Sequence, residues 1–394
     1  MAGTDVDRQL SDRASIEIRF TRAEPQHDGE IRRLLREHPM PGDIALTLER
    51  EPDYFLGSRL PGVLEDQTIV ALQREQVVCM GGCSFREHFV NGSVQRVGYL
   101  SGLRLDHSVQ GRFDIVRRGY QFFADLTKDQ PALFYFTSIA TDNARSIRLL
   151  ERRLPGMPDY RFLTEYETLL IPISCKPTAL NKLAQRALQN LQNLGLRYAC
   201  ASQEQAGQLA GFLNECARGR QLAASWTEAE LLQLADFGLP TTDFQMVLDG
   251  NKIVAATALW DQRLFKQTVI RSYSRRLSLF RPWFNAAARL LDKPMLPSPN
   301  YPLQHAFLSP FAVSQEHQGL ARDLISLCLP IGATRGFHFL TLGFSHQDPV
   351  AKTVRAAFPC REYASRLYQV AWPQSGHSFE SLDSRPITPD VALL

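Results

Sequence analysis

Cysteine, glycine and proline are too sparse in this chain to define its fold, neither sign of charge dominates, and no apolar run is long enough to span a bilayer. Each shortage excludes something. Seven Cys in 394 residues, an odd number without framework spacing, argue against a disulfide scaffold and for reduced, buried thiols, and so for a cytoplasmic protein. Cys79 and Cys83 are separated by three residues, but no second Cys or His pair sits at metal-ligand spacing, so they read as core thiols and no metal site is expected. With 24 Gly and 23 Pro the chain is neither collagenous nor low in complexity, and 44% apolar with 22% charged residues is an ordinary globular balance. Forty-four Lys and Arg against 41 Asp and Glu leave a net charge of +3, too small for the broad cationic field that drives non-specific nucleic-acid binding. The longest uncharged run, Pro294 to Gln315, holds five prolines, so no membrane span and no membrane partner are expected. The opening MAGTDVDRQLSDRAS carries acids and no apolar core, so no signal peptide is expected either.

What the chain does hold is periodicity. IEIRFTRA alternates as a strand, Asp28 to His38 has helical spacing, and QTIVALQ with QVVCMGGCSF reads as an antiparallel pair. VGYLSGLRLD, a helix from Asp114 to Leu126, PALFYFTSIA, the helix NARSIRLLERRL and the strand YETLLIPI follow, giving an α+β order with a central βαβ unit. After Ile173, apolar residues at Leu180, Leu183, Ala184, Ala187, Leu188, Leu191 and Leu194 define a helical linker. LRYACAS, a helix from Ala206 to Ala217, DFQMVLDG and KIVAATALW then start the same order again.

The restart has a letter-level counterpart. YLSGLRLDHSVQGRF and FLSPFAVSQEHQGLA share Leu100, Ser101, Gln110 and Gly111 with Leu308, Ser309, Gln318 and Gly319 at constant offset. At an average of about 150 residues per domain, the length also favours two units. The boundaries expected are 1–175 for the first, 176–196 for the linker, 197–374 for the second, and 375–394 for a Ser-, Pro- and Asp-rich tail of loop or disorder.

A strand entering a Gly-containing turn and then a helix is a phosphate-binding geometry, because free N–H groups at the helix start converge on one anion. Gly111 sits at such a junction in the first half, with Phe113 beyond it, and Gly319 with Ala321 in the second. This order of elements resembles the GNAT (GCN5-related N-acetyltransferase) superfamily. In TSIATDNARSIRLLERR, Asn143 matches the family's late-helix Asn, Ser146 and Ile147 its Ala-Ile pair, and Leu149 and Glu151 flank the position of its Tyr. LRLDHSVQGRFDIVRRGY is similar to the family's pyrophosphate segment, and AVSQEHQGLARDL to a shortened version of it, in which Glu316 takes the place of Gln or Arg.

The resemblance implies a fold of two tandem GNAT-like domains, each a mixed sheet flanked by helices, and an acyl-CoA co-substrate, acetyl-CoA first. The residues it implies for cofactor binding are Leu103, Leu105, Gln110, Gly111, Arg112, Phe113, Asp114 and Asn143, with Val313, Gln318, Gly319, Leu320 and Ala321 in the second copy. It implies N-acyl transfer to a small-molecule or peptide amine. The family's acid Tyr is replaced by Leu150 in the first half and Arg355 in the second, so Leu150 is expected in the core. Glu87 and Tyr99 are the candidate catalytic residues of the first half, with His305 and Ser309 as second-half candidates for the base. His317 is a surface His or a phosphate contact. The run RSYSRRLSLFRPWF, with Arg271, Arg275, Arg276 and Arg281, reads as a solvated helix face, with the CoA 3′-phosphate or RNA as alternatives. A non-catalytic binding or scaffold protein with degenerate copies is the second reading of the whole chain. Transfer involving aminoacyl-tRNA is a third, held back by the near-neutral charge.

Overall fold

A computed structural model describes residues 17–40, 42–174, 176–291, 295–372 and 378–394. The opening segment, on which the signal-peptide expectation rests, Pro41, Cys175, residues 292–294 and the first residues of the tail lie outside these. The first half runs β1 (Arg19–Arg22), α1 (Asp28–Glu37), β2 (Ile44–Glu49), β3 (Val63–Gln73), β4 (Gln76–Val90), β5 (Ser93–Leu105), α2 (Phe113–Thr127), β6 (Tyr135–Ala140), α3 (Ala144–Leu150) and β7 (Asp159–Pro172). The linker helix α4 (Pro177–Asn193) follows. The second half runs β8 (Arg197–Cys200), α5 (Ala206–Arg218), α6 (Glu228–Gln233), β9 (Phe244–Asp249), β10 (Lys252–Trp260), β11 (Gln267–Tyr273), α7 (Arg275–Leu290), β12 (Tyr301–Pro302), β13 (His305–Leu308), β14 (Ala312–Val313), α8 (Leu320–Thr334), β15 (Phe339–Ser345), α9 (Pro349–Ala357) and β16 (Arg361–Ala371).

The local rules account for most of these. Arg74–Glu75 and Asn91–Gly92 all have positive φ, the backbone of two-residue turns whose twist matches the flanking strands, so β3, β4 and β5 form a meander. Asn143 caps α3, its side chain accepting from the Ser146 N–H at 3.2 Å. Helix α4 buries Leu180, Ala187 and Leu191 in one core with Leu324 and Cys328 of α8. Its Asn190 also donates to the buried Asp323 carboxylate at 2.7 Å.

The α+β class is as expected; the halves, however, are interleaved rather than set side by side. A single mixed sheet runs β1-β3-β4-β5-β6-β16-β7-β15-β13-β10-β9-β8, so the last strand of each half pairs inside the other. β16 lies antiparallel to both β6 and β7, and β7 is in turn antiparallel to β15. The cores follow the exchange. Leu169, Ile171 and Ile173 of the first half pack in the cluster built by α4, α8 and β15. Tyr368, Val370 and Trp372 of the second fill the cluster under α2 and α3, where Trp372 stands edge-on to Tyr135 with ring centroids 4.9 Å apart. A second, small sheet β12-β11-β2 also joins the halves.

Residues 378–394 are loop for most of their length, yet they are held closely. The fully buried Gln221 donates to Asn91 and Asp383, both at 2.7 Å, while its backbone N–H meets the Pro386 carbonyl at 2.9 Å. Ala392 ends in the core beside β10.

Leu367 in β16 is fully buried, so Leu367→Ala should cost about 2–5 kcal/mol. Because the strand is shared, amide exchange under urea should show β4 and β10 losing protection in one transition. Separate transitions for the two strands would contradict the interleaved sheet.

Candidate functional site

The parallel strands β5 and β6 pair at Gly98–Tyr135 and Tyr99–Phe136. Beyond Tyr99 they diverge, and the gap opens into a cavity of about 710 Å³ that crosses the face of the sheet. Its walls come from both halves: Leu100 to Leu105 of β5, Thr137 to Ala140 of β6, Tyr363 and Ser365 of β16, Tyr166 and Thr168 of β7, Thr341 of β15, and His305 and Phe307 of β13. Leu46, Leu48 and Glu49 of β2 and Lys266 close one side.

The equivalent gap in the second half is filled by the chain itself. β13 and β15 pair from His305–Phe339 to Phe307–Thr341. Past that point Thr388 to Val391 enter between them, leaving about 80 Å³. Tyr166 donates to the Pro389 carbonyl at 2.7 Å and Ser309 to the buried Asp390 carboxyl at 2.6 Å. A Cβ at Gly343 would meet the Val391 Cβ at 2.6 Å, so this seat needs glycine on β15.

The residues singled out from the sequence divide accordingly. Tyr99, Leu103, Leu105, Gln110 and Asn143 line the large cavity. Gly111, Arg112, Phe113 and Asp114 form the adjoining turn and helix start. There Gly111 has φ +89° with open space where a Cβ would stand, and Arg112 makes a two-point ion pair with Asp114 at 2.8 Å. Glu87 is exposed on β4 and is not part of the cavity wall. In the second half Val313 lines the small residual cavity, and Leu320 and Ala321 are buried in the α8 core. Gly319 is the N-cap of α8, Gln318 ends the short 3-10 turn before it, and His317 bonds Ser314 at 2.9 Å. Ser309 faces the inserted segment rather than a cleft. His305 instead joins Tyr99 in the large cavity, a meeting of the halves that periodicity within either could not reveal.

Burial governs the ionisable groups here. It raises Tyr99 above the usual phenol range, partly offset by the Ser138 hydroxyl at 2.8 Å and by Arg50, so Tyr99 remains a donor. It pushes His305 down to about 4, with Lys266 next in effect, and the ring bonds Thr341 at 2.9 Å. It pushes Lys266 down to about 7, helped by Arg50 and opposed by Asp390, while the amine donates to the backbone oxygens of Ala392 and Leu394. Tyr363 is raised to about 12. Lys266, just ahead of β11, and Tyr363 of β16 were missed from the sequence, because these segments reach the cavity only through pairing between the halves. Glu49 is buried, and Arg271 pairs with it and donates to Thr47 at 3.2 Å, so that arginine is structural. Cys79 and Cys83 are buried thiols on β4, both pushed up by burial. No group of His, Cys, Asp and Glu suited to a metal occurs among the described residues.

Leu150 is buried with Ile147 at the cavity wall. Leu150→Ala should destabilise by about 2–5 kcal/mol in chemical denaturation. An unchanged melting temperature with altered chemistry would remove it from the core. The pH dependence has a definite sign. His88 and His305 both titrate near 4 in the folded chain, against 6.5 when free, so between those values the unfolded chain binds more protons. The contribution of these two rings to stability should rise with pH from about 4 to 6.5 and be lost as pH falls through that window, while Asp66 and Asp390, raised by burial, act in the opposite sense. The slope of stability against pH should flatten in His305→Gln, and an unchanged slope would mean that this ring is not held neutral.

No family model matches the sequence, and no curated protein matches it. Solved structures do. The chain superposes on a GCN5-related glucosamine N-acetyltransferase region of a fungal multi-domain GH3 β-N-acetylglucosaminidase with a TM-score of 0.57 and 13% identity, over 90% of this chain and 38% of that one. It superposes on Saccharomyces cerevisiae N-myristoyltransferase with bound myristoyl-CoA with a TM-score of 0.53 and 10% identity, over 93% of this chain and 87% of that one. At that identity the likeness is one of fold, and the chain has the GNAT fold.

Proposed function

We propose that the protein is an acyl-CoA-dependent N-acyltransferase, acetyl-CoA being the first donor to test, and that the first half holds the donor. The observation that carries the choice of half is the contrast between the two strand divergences: one opens on about 710 Å³, and the other is filled by Thr388 to Val391. The parting of β5 from β6 beyond Tyr99 leaves backbone polar groups on that edge for the amides of a pantetheine arm, in the manner of an added strand. The open turn at Gly111, ahead of the N-terminus of α2, suits a pyrophosphate. Gln110, Leu103 and Leu105 stand between turn and cavity.

In this reading an acceptor amine attacks the thioester carbonyl carbon, a C–N bond forms, the C–S bond breaks, and the thiolate leaves to be protonated. The attacking amine must be neutral, and Lys266, held near 7, is the group in the cavity suited to take its proton at neutral pH. Tyr99 and its Ser138 partner stay protonated and can donate to a developing oxyanion. No acid from α3 is required, because a thiolate is a good leaving group and Leu150 occupies that place.

Calorimetric titration with acetyl-CoA tests the assignment. Binding should be lost in Gly111→Trp, kept in Gly319→Trp, and largely kept in Gly111→Ala, which imposes the same positive-φ strain without the bulk. Loss confined to Gly319→Trp would move the donor to the second half. Failure of the parent chain to bind any acyl-CoA would leave the scaffold reading.

A further inference from the structure

Helix α7 is built inside out. A surface helix ordinarily turns its apolar stripe inward and its charges outward. In α7 the side facing the protein carries Leu277, Arg281, Asn285 and Ala288. Arg281 donates to the Leu296 carbonyl at 3.3 Å and to Ser298 at 3.1 Å, and Asn285 exchanges hydrogen bonds with the Leu296 backbone at 2.8 and 3.1 Å. The opposite side carries Leu279, Phe280, Trp283 and Leu290, which are 73%, 62%, 77% and 82% exposed, and Leu291 follows at 65%. Spacings of three, four and seven put Leu279, Phe280, Trp283 and Leu290 on one ridge with Leu291 at its edge, larger than the isolated apolar residues found on any soluble surface.

The charge on the ridge selects its partner. From Arg275 to Leu291 there are four Arg and neither Asp nor Glu. Arg281 turns inward, so a second copy of this surface would set the other three guanidinium groups against three more. Nucleic acid would satisfy the charge and stack on Phe280 and Trp283, but the leucines, among the most exposed residues of the ridge, have no stacking face to offer a base. An anionic lipid surface satisfies both properties: leucine and aromatic side chains enter the acyl boundary while the arginines meet phosphate. We infer that α7 is an interfacial helix that docks this protein on anionic phospholipid surfaces, lying in the plane of the bilayer. No helix among the described residues is long and apolar enough to cross a membrane, which agrees with contact at the surface and not a span. The inference is independent of acyl transfer.

Flotation of the full chain with vesicles tests it. The chain should float with equimolar phosphatidylcholine and phosphatidylglycerol, float poorly with phosphatidylcholine alone, and be released in part by salt. A Leu279→Glu, Leu290→Glu double variant should lose roughly tenfold or more in vesicle affinity with an unchanged melting temperature, since both side chains already face solvent. Arg275→Gln with Arg276→Gln should erase the preference for the anionic vesicles. The emission of Trp283 should shift to the blue on binding, and Trp283→Phe should abolish the shift while keeping the flotation. Absence of flotation with either vesicle overturns the inference. So does a dimer in light scattering that Leu279→Glu dissolves, or tRNA binding lost in the arginine variants without any vesicle binding.

Discussion

The antiparallel pairing of β16 with β7 holds this molecule together. The two strands are paired from Arg361–Leu170 to Ala371–Asp159 in the middle of the sheet, each crossing from its own half into the other. Without β16, β6 and β7 would be open edges bearing buried apolar residues such as Phe136, Ile139, Leu169 and Ile171, the kind of surface that invites wrong pairing. Neither half therefore finishes a sheet alone, and each core takes side chains that arrive from about two hundred residues away. The cavity depends on the same pairing. β16 and β7 supply its floor, and they bridge the β5–β6 divergence to His305 and Thr341.

The exchange is nearly symmetric, while the use of the two divergences is not. Seating Thr388 to Val391 in the second gap brings the Asp390 carboxyl into the interior, where burial raises its pKa and Ser309 provides a partner. The Gln221 network ties the preceding residues to the turn at Asn91, so the segment that fills one gap is anchored on the opposite half. Two copies of one element order have thus become an open site and a structural seat.

Local physics made much of this legible in the sequence. The pairing of β3 with β4, the helices α1, α2, α4 and α5, and the strands β9 and β10 follow from periods of 2 and 3.6. What stayed hidden is non-local. The pairing of β2 with β11, and of β16 with β6, leaves no mark on the periodicity of any one segment. The tail is polar enough to read as solvated, yet it packs through Tyr166 and Gln221 rather than through an apolar stripe of its own. Asn143 shows how a family match and a structural role coincide: the side chain that best supports the resemblance is also the cap of α3.

The shifted groups in the cavity have one physical origin. Burial disfavours charge whichever group carries it, so the wall that raises Tyr99 and Tyr363 also lowers His305 and Lys266. The wall also carries the guanidinium groups of Arg50 and Arg104, and the Arg50 charge adds to the lowering of Lys266 and opposes the raising of Tyr99. Leu150 packs with Ile147 and Phe123 in the cluster under α2 and α3, where an apolar side chain fills space that a charged one could enter only with a partner.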